Sequence, residues 1–205
     1  MATQQVASLK DLRVILLTLG KKGNWRGWTV ESTTAGKGCD ELTMEVGAGA
    51  FFERGFAVYT QNAKIEELGM PKSFFRNGPY NRMVAEGMWG GLMLKARYKR
   101  YRHIGFSVTG SLANNDARYP KGSKPGTVYI TVGTRIGFTY RYKTRKIRII
   151  ETGKRGNGKK QVLIPVFILM IRMMLDETYG ETFHARNAKQ LFAFIRERHS
   201  KPARS

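Results

Sequence analysis

The chain has 205 residues, of which 41% are hydrophobic, so its length and composition suit one domain with a buried core and exclude wholesale disorder. Thirty-six Lys and Arg residues against 15 Asp and Glu residues give a formal net charge of +21. An excess of this size is not needed for folding and indicates a polyanionic partner. The single cysteine, Cys39, excludes an internal disulfide framework and a zinc site with several cysteine ligands, and it suits a reducing compartment.

The three histidines, His103, His184 and His199, lie far apart and show no metal-ligand spacing, so we expect neither a metal nor a cofactor. The longest apolar run, 162–171, has 10 residues, whereas a membrane span needs about 20. The apolar stretch near the N-terminus is shorter still, so we expect no secretory leader and no membrane partner. We expect a cytoplasmic location, in a bacterial or phage-infected cell, with an organelle matrix as the alternative.

The first half of the chain alternates helical and strand patterns. Ser8 is expected to cap a helix over 8–19 that ends at Gly20, because the apolar residues in between recur at helical spacing. The patterns that follow predict a strand at 28–30, a turn of small residues at 31–36, a strand at 55–60, a short helix at 62–68 and a longer helix at 81–98.

The second half is expected to contain three strands and then two helices. The predicted strands are 104–109, 127–132 and 135–150, the last with Ile136, Phe138, Tyr140 and Tyr142 on one face. Residues 153–160 are glycine-rich and basic, which suggests either a surface hairpin tip or a finger that orders on phosphates. Helices are predicted at 162–177 and 184–199, with a flexible tail at 201–205. Strands interleaved with helices predict one three-layer α/β domain over 1–200, with a central sheet flanked by helices and basic insertions at 95–160.

The positive charge is concentrated in one third of the chain. Between Lys95 and Lys160 there are 18 Lys and Arg residues and two acids, Asp116 and Glu151. A single basic run is usually a solvated face, but several runs without compensating acid indicate a bound polyanion. Tyrosines at 98, 101, 140 and 142 could stack on unpaired bases. The candidate RNA-binding residues are Lys95, Arg97, Lys99, Arg100, Arg102, Arg118, Lys121, Lys124, Arg141, Lys143, Arg145, Lys146, Arg148, Lys154, Arg155, Lys159 and Lys160.

The partner that this pattern favours is structured RNA. The sequence contains no zinc finger or helix-turn-helix pattern that would read a DNA sequence, and shaped RNA is recognised without such a module. Ribosomal RNA is the expected target because it is the most abundant structured RNA in a cytoplasm. DNA or an acidic protein remains the alternative partner, and a homo-oligomer is compatible with the sequence.

Several motifs occur in the order found in a known enzyme family. The chain resembles the C-terminal domain of the competence-damage-inducible proteins, whose active members are nicotinamide mononucleotide deamidases. This resemblance implies a three-layer α/β fold. It rests on an E-S-x-T-x-G turn at 31–36, a glycine-rich turn and following strand at 47–55, the pair Tyr59 and Lys64, L-G-M at 68–70, V-T-G at 108–110, K-P-G-T-V at 124–128, and G-K-R at 153–155.

The resemblance also shows a change in the implied active site. The family uses a serine nucleophile in the glycine-rich turn, where this chain has Ala48 and Gly49. A serine–lysine pair needs an oxygen beside its base, so the resemblance implies an inactive enzyme. The vestigial pocket would contain Ser32, Gly49, Tyr59, Lys64, Thr109 and Arg155. Three hypotheses follow: an inactive deamidase fold that binds RNA, an active amidohydrolase in which Ser32 or Thr33 replaces the nucleophile, or a non-catalytic protein that binds DNA or an acidic protein.

Overall fold

The computed structural model describes residues 8–98, 100–112, 126–150 and 155–200. Within these ranges one six-stranded mixed sheet runs through the molecule in the order β2-β1-β3-β4-β5-β6. The strands are β1 Trp25–Glu31, β2 Phe52–Ala57, β3 Arg102–Gly110, β4 Thr127–Ile136, β5 Thr139–Arg148 and β6 Glu181–His184. The helices are α1 Leu9–Lys22, α2 Lys37–Thr43, α3 Gln61–Leu68, α4 Arg82–Lys95, α5 Arg155–Leu175 and α6 Ala188–Ser200.

Helices cover both faces of the sheet, which confirms the predicted three-layer α/β fold. One hydrophobic cluster joins the sheet to α1, α2 and α5 and contains Leu12, Leu42 and Phe167. A second cluster on the opposite face joins the sheet to α3, α4 and α6 and contains Leu68 and Trp89. Strands β2 and β3 both run parallel to β1, whereas β3 to β6 pair in antiparallel fashion.

The start of α1 follows the sequence pattern, but its end does not. Ser8 caps the helix, and its backbone N–H and hydroxyl both bond the Asp11 carboxylate, which closes a capping box. The helix continues through Gly20 to Lys22. Gly20 is buried because a side chain there would collide with the ring of Phe51. The glycine therefore permits close packing and is not a stop signal.

Three predictions in the second half of the chain are wrong. The expected strand 135–150 is a hairpin that turns at Gly137 with φ +60°, so Ile136 and Phe138 are exposed at the turn while Tyr140 and Tyr142 are buried. The expected loop 153–160 is helical from Arg155 onward. Its tertiary contacts explain the helix, since Gly158 packs near Leu112 and Ile149. Strand β6 occupies the first residue of the helix predicted at 184–199, and that helix begins at 188.

Helix α3, which carries Lys64, lies close against α4 at a glycine. A β-carbon on Gly91 would lie 2.5 Å from the backbone oxygen of Leu68, the last residue of α3. Backbone cannot rotate away as a side chain can. Gly91 therefore fixes how closely α3 approaches the sheet.

We expect Gly91→Ala to lower the free energy of unfolding by about 1–3 kcal/mol, because the methyl group overpacks the α3–α4 contact. The same change at Gly156 in α5 meets no atom within 4 Å. Gly156→Ala should instead stabilise the protein by up to about 1 kcal/mol, because alanine favours a helix over glycine. Denaturant unfolding of both variants measures the difference, and equal effects would contradict the proposed role of Gly91.

Candidate functional site

The carboxyl ends of the three parallel strands meet at one place in the fold, which we call the crevice. The chain leaves β1 at Ser32, β2 at Val58 and β3 at Ser111, and these exits lie side by side because β1 pairs with both neighbours. The connection from β1 to β2 passes through α2 and the one from β2 to β3 through α3 and α4, on opposite faces of the sheet. Such a switch in crossover direction at the carboxyl ends is a common ligand site in α/β proteins.

The turn after β1 is built around a buried carboxylate. Glu31 accepts hydrogen bonds from the Thr34 hydroxyl at 2.6 Å and from the N–H groups of Gly38 and Cys39 at 2.9 and 3.0 Å. The carboxylate thus satisfies the free N–H groups at the start of α2. Gly36 has φ +90°, a conformation that glycine adopts readily. The E-S-x-T-x-G motif is therefore a rigid turn that presents Ser32 at the crevice.

Ser32 and Lys64 converge on one oxygen atom. The Ser32 hydroxyl donates to the backbone oxygen of Tyr59 at 3.4 Å, and Lys64 Nζ donates to the same oxygen at 3.5 Å. Both side chains are buried, whereas Tyr59 is 60% exposed. Among the residues described, Lys64 forms no ion pair, and the ring of Tyr80 lies 6.0 Å from its Nζ. Burial away from water lowers the pKa of Lys64 to about 8.

Two threonine hydroxyls complete the crevice. Thr33 donates to the backbone oxygen of Gly110 at 3.0 Å, which ties the exits of β1 and β3 together. Thr109 donates to the backbone oxygen of Pro79 at 3.1 Å, which ties β3 to the segment before α4. The structure therefore brings together four of the six predicted pocket positions, namely Ser32, Tyr59, Lys64 and Thr109.

Gly49, the fifth predicted pocket position, does not lie beside these four residues of the same chain. It precedes β2, and its backbone oxygen accepts a hydrogen bond from Arg26 near the start of β1. Lys64 follows β2, so the six residues of that strand, about 20 Å at the usual rise, separate the two positions. The predicted pairing of position 49 with Lys64 is thus not available inside one chain. The hydroxyl that lies near Lys64 is that of Ser32.

The sixth position, Arg155, is the first residue of α5, and only its backbone is described. Three residues further on, a β-carbon on Gly158 would lie 3.5 Å from the side chain of Leu112, which follows the end of β3. The N-terminus of α5 is therefore on the same side of the sheet as the crevice.

The predicted RNA-binding cations fall into separate groups. Lys95 pairs with Glu67 at 2.9 Å, and Arg102 pairs with Glu177. Arg141 is 4% exposed and donates to the backbone oxygen of Met173 at 2.9 Å, so it does not contribute to an exposed surface. Exposed cations remain at 97, 100, 145, 146, 148 and 160, and half-buried ones at 143 and 159. Lys99, Arg118, Lys121, Lys124 and Lys154 lie outside the described residues.

Two of the exposed cations adjoin a pair of tyrosines. Tyr98 is 55% exposed, and its ring lies edge-on to Tyr101 at 6.4 Å. The guanidinium groups of Arg26 and Arg100 lie 4.5 and 4.7 Å from the Tyr101 ring centre. A hydrogen bond from Arg26 lowers the pKa of Tyr101. We call this group, together with Arg97, the tyrosine–arginine surface; sequence analysis missed Arg26 because it lies outside the basic segment 95–160.

The loop that carries this surface is anchored at both ends. His103 Nε2 lies 2.8 Å from the backbone oxygen of Tyr98, and Asn24 donates to that of Arg100 at 3.2 Å. Trp28 Nε1 donates to His103 Nδ1 at 3.2 Å, which fixes the imidazole. His103 is therefore structural, as predicted. The backbone carbonyls of Tyr98 and Arg100 are thus both held by hydrogen bonds.

The described ranges contain no group of three or more His, Cys, Asp or Glu side chains arranged to hold a metal ion. Burial raises the pKa of the Cys39 thiol to about 11, which disfavours the reactive thiolate. In the same ranges no helix has the length and apolar character needed to cross a membrane.

Three comparisons with known proteins bear on this arrangement. Residues 10–162 match the CinA C-terminal domain. A competence-damage inducible protein of Caldicellulosiruptor saccharolyticus is 32% identical over 130 residues, which are 62% of this chain and 30% of the relative. One of Geobacillus kaustophilus is 33% identical over 118 residues, 54% of this chain and 26% of the relative. The chain therefore spans about a third or less of the relatives' lengths.

Solved structures show the same fold at lower identity. A CinA superfamily protein of Klebsiella pneumoniae superposes with a TM-score of 0.70 and 18% identity over 82% of this chain and 99% of that one. A competence/damage inducible protein of Agrobacterium tumefaciens superposes with a TM-score of 0.69 and 20% identity, over 86% of this chain and 100% of that one. The agreement of sequence match, sheet order and the turn after β1 leads to one assignment: the chain belongs to the CinA C-terminal domain family.

Proposed function

We propose that this protein binds structured RNA through the tyrosine–arginine surface and that it is catalytically inactive, because Gly49 stands where the family has its serine nucleophile. The observation that carries the RNA proposal is an exposed tyrosine, Tyr98, beside two exposed arginines, Arg97 and Arg100, on an anchored loop. Tyrosine rings stack on unpaired bases, and arginines contact phosphate, stack on bases and donate to base edges.

The charges of this surface support the proposal. Among the described residues Arg97 and Arg100 form no ion pair, and Arg26 has Glu53 at 3.8 Å. A protein with a net charge of +21 gains from a polyanion that neutralises such unpaired cations. Ribosomal RNA is the proposed target because of its abundance.

We expect the double variant Arg97→Ser/Arg100→Ser to bind RNA at least tenfold more weakly near 0.1 M salt. The slope of log affinity against log salt should fall by about one unit for each arginine, since each phosphate contact releases counterions. Lys72→Ser/Arg76→Ser removes two exposed cations elsewhere and is the matched control. Sedimentation with ribosomes and separated subunits at two salt concentrations measures both quantities. Equal losses in the two double variants would overturn the proposed site.

A second candidate function is favoured by the contact of Ser32 and Lys64 with one oxygen. In this alternative a neutral Lys64 amine takes the proton of the Ser32 hydroxyl, and the serine oxygen attacks the amide carbon. The protonated Lys64 then gives that proton to the leaving nitrogen, so that the C–N bond breaks, ammonia departs and an ester remains on Ser32. Water hydrolyses this ester to the carboxylic acid and restores the serine. With a pKa of about 8, about a tenth of the Lys64 amines are neutral at pH 7, and the fraction rises with pH. The geometry favours Ser32 over position 49 as the source of the hydroxyl.

A deamidation assay with nicotinamide mononucleotide tests whether Ser32 and Lys64 form an active pair. If Ser32 and Lys64 act together, turnover should increase as the pH passes 8 and should be lost in both Ser32→Ala and Lys64→Met. Absence of turnover in the unmodified protein at pH 9 would reject this alternative. RNA binding is measured on the same preparations, so each proposal stands or falls separately.

Burial of Lys64 should also be visible in stability. The pKa is about 8 in the folded protein and near 10.4 in an unfolded chain, so between these pH values the unfolded state binds more protons. Stability from this group therefore rises with pH in that window and is lowest below pH 8. We expect Lys64→Met to stabilise the protein by about 3 kcal/mol at pH 7 and much less at pH 10.5. Denaturant unfolding, with Lys72→Met as the exposed control, measures the gain, and a gain independent of pH would contradict the lowered pKa.

A further inference from the structure

A groove of about 350 Å³ lies between β5 and α5, and none of its lining residues belongs to the crevice or to the tyrosine–arginine surface. Its floor is apolar and consists of Ile130, Ile147, Pro165, Ile168 and Leu169. Ile168 is 48% exposed, so part of this apolar floor faces water. The volume is at the small end of the range for small-molecule sites. We call this space the Tyr179 groove after the aromatic residue at its rim.

The rim is made of cations that surround one tyrosine ring. The guanidinium of Arg172 lies 3.9 Å from the Tyr179 ring centre, and Arg145 Nη2 donates to its hydroxyl at 3.1 Å. Lys143 Nζ lies 5.9 Å from the same ring, and Lys146 lines the groove as well. Like charges gathered around one ring repel each other unless an anion lies nearby.

The neighbouring carboxylates are occupied by other contacts. Asp176 Oδ1 accepts hydrogen bonds from the N–H and hydroxyl of Thr178 at 2.9 and 2.6 Å. Glu177 pairs with Arg102. Among the described residues that line the groove there is no acid. Within the described ranges, the groove's cations Arg145, Lys146 and Arg172 form no ion pair with a carboxylate.

Both ends of the groove are held in place. At one end the side chain of Gln161 forms two hydrogen bonds with the backbone of Ile150, at 3.1 and 3.2 Å. At the other end Arg145 holds Tyr179. Between them Pro165, inside α5, has no N–H to donate to the carbonyl four residues earlier. The shape of the groove is thus held by hydrogen bonds between β5, α5 and the segments that follow them.

We propose that the Tyr179 groove binds a small organic anion with an apolar body, such as an alkyl or aryl carboxylate or phosphate monoester. The body lies on the isoleucine and proline floor, and the anionic group lies between Arg145 and Arg172, whose planar forks match carboxylate and phosphate oxygens. The Tyr179 hydroxyl accepts from Arg145 and donates its own proton to the anion. The apolar floor suits a ligand with an apolar body, which the phosphates of RNA do not provide. We therefore treat this site as separate from the proposed RNA surface.

Decanoate and decyl phosphate are the probes, and titration calorimetry is the readout. We expect both to bind, with affinity rising about fourfold for each methylene from hexanoate to decanoate, since each buried methylene adds a constant increment. Decanol, which lacks the charge, and inorganic phosphate, which lacks the tail, should bind at least tenfold more weakly. Equal binding of decanol or of phosphate, or no binding of either probe, would overturn the proposal.

Matched variants locate the site. Ile168→Asp places a carboxylate on the floor, and Arg172→Gln removes a rim cation; each should weaken decanoate binding at least tenfold. Leu175→Asp, on the same helix but outside the groove and 67% exposed, should leave it unchanged. Circular dichroism confirms that each variant folds, and RNA binding by Ile168→Asp should match the unmodified protein. Equal losses in Ile168→Asp and Leu175→Asp would place the ligand elsewhere.

Discussion

Strand direction determines where the crevice and the tyrosine–arginine surface lie. Because β1 runs parallel to both β2 and β3, residues that follow these strands meet at one edge of the sheet and residues that precede them meet at the other. Ser32 and Lys64 lie at the first edge, and the tyrosine–arginine surface, which precedes β3, lies at the second. Gly49 precedes β2 and so belongs to the second edge, although it is only 15 positions from Lys64 in the sequence.

The elements that sequence analysis predicted correctly are those defined by local chemistry. Ser8 and Asp11 close a capping box whatever surrounds them, and 62–68 is helical from its own pattern and ends at Gly69, which has φ +65°. The elements that it missed depend on contacts distant in sequence. Glycines at 156 and 158 disfavour a helix locally, yet α5 includes them because Gly158 packs against Leu112 and Ile149.

The candidate sites show the same division. Motif order groups Ser32, Tyr59, Lys64 and Thr109, and the structure places them at the same end of the sheet, because each lies at the end of a parallel strand or in the segment that follows it. The number of positive charges does not show which of the cations are buried in the folded protein. Arg141 is one that is buried, and its guanidinium donates to a backbone oxygen near the C-terminal end of α5. Strand β6 pairs only with 139–142 of β5, so the cations at 143–148 also line a strand edge, where charge discourages pairing with other chains. Their number alone is therefore weak support for RNA binding, and the exposed tyrosine beside Arg97 and Arg100 is stronger.

The energetics of Lys64 constrain any account of the crevice. An amine without a carboxylate partner in the described structure is buried at a cost that an apolar side chain of similar length would avoid. Residues that lower the stability of the folded protein are common at functional sites, where activity and stability are in conflict. The Glu31 network, by contrast, is fully bonded and needs no explanation beyond the turn that it builds. Lys64 combines a lowered pKa with the Ser32 hydroxyl, which bonds the same carbonyl oxygen, so the crevice retains an acid–base group even without a serine at position 49.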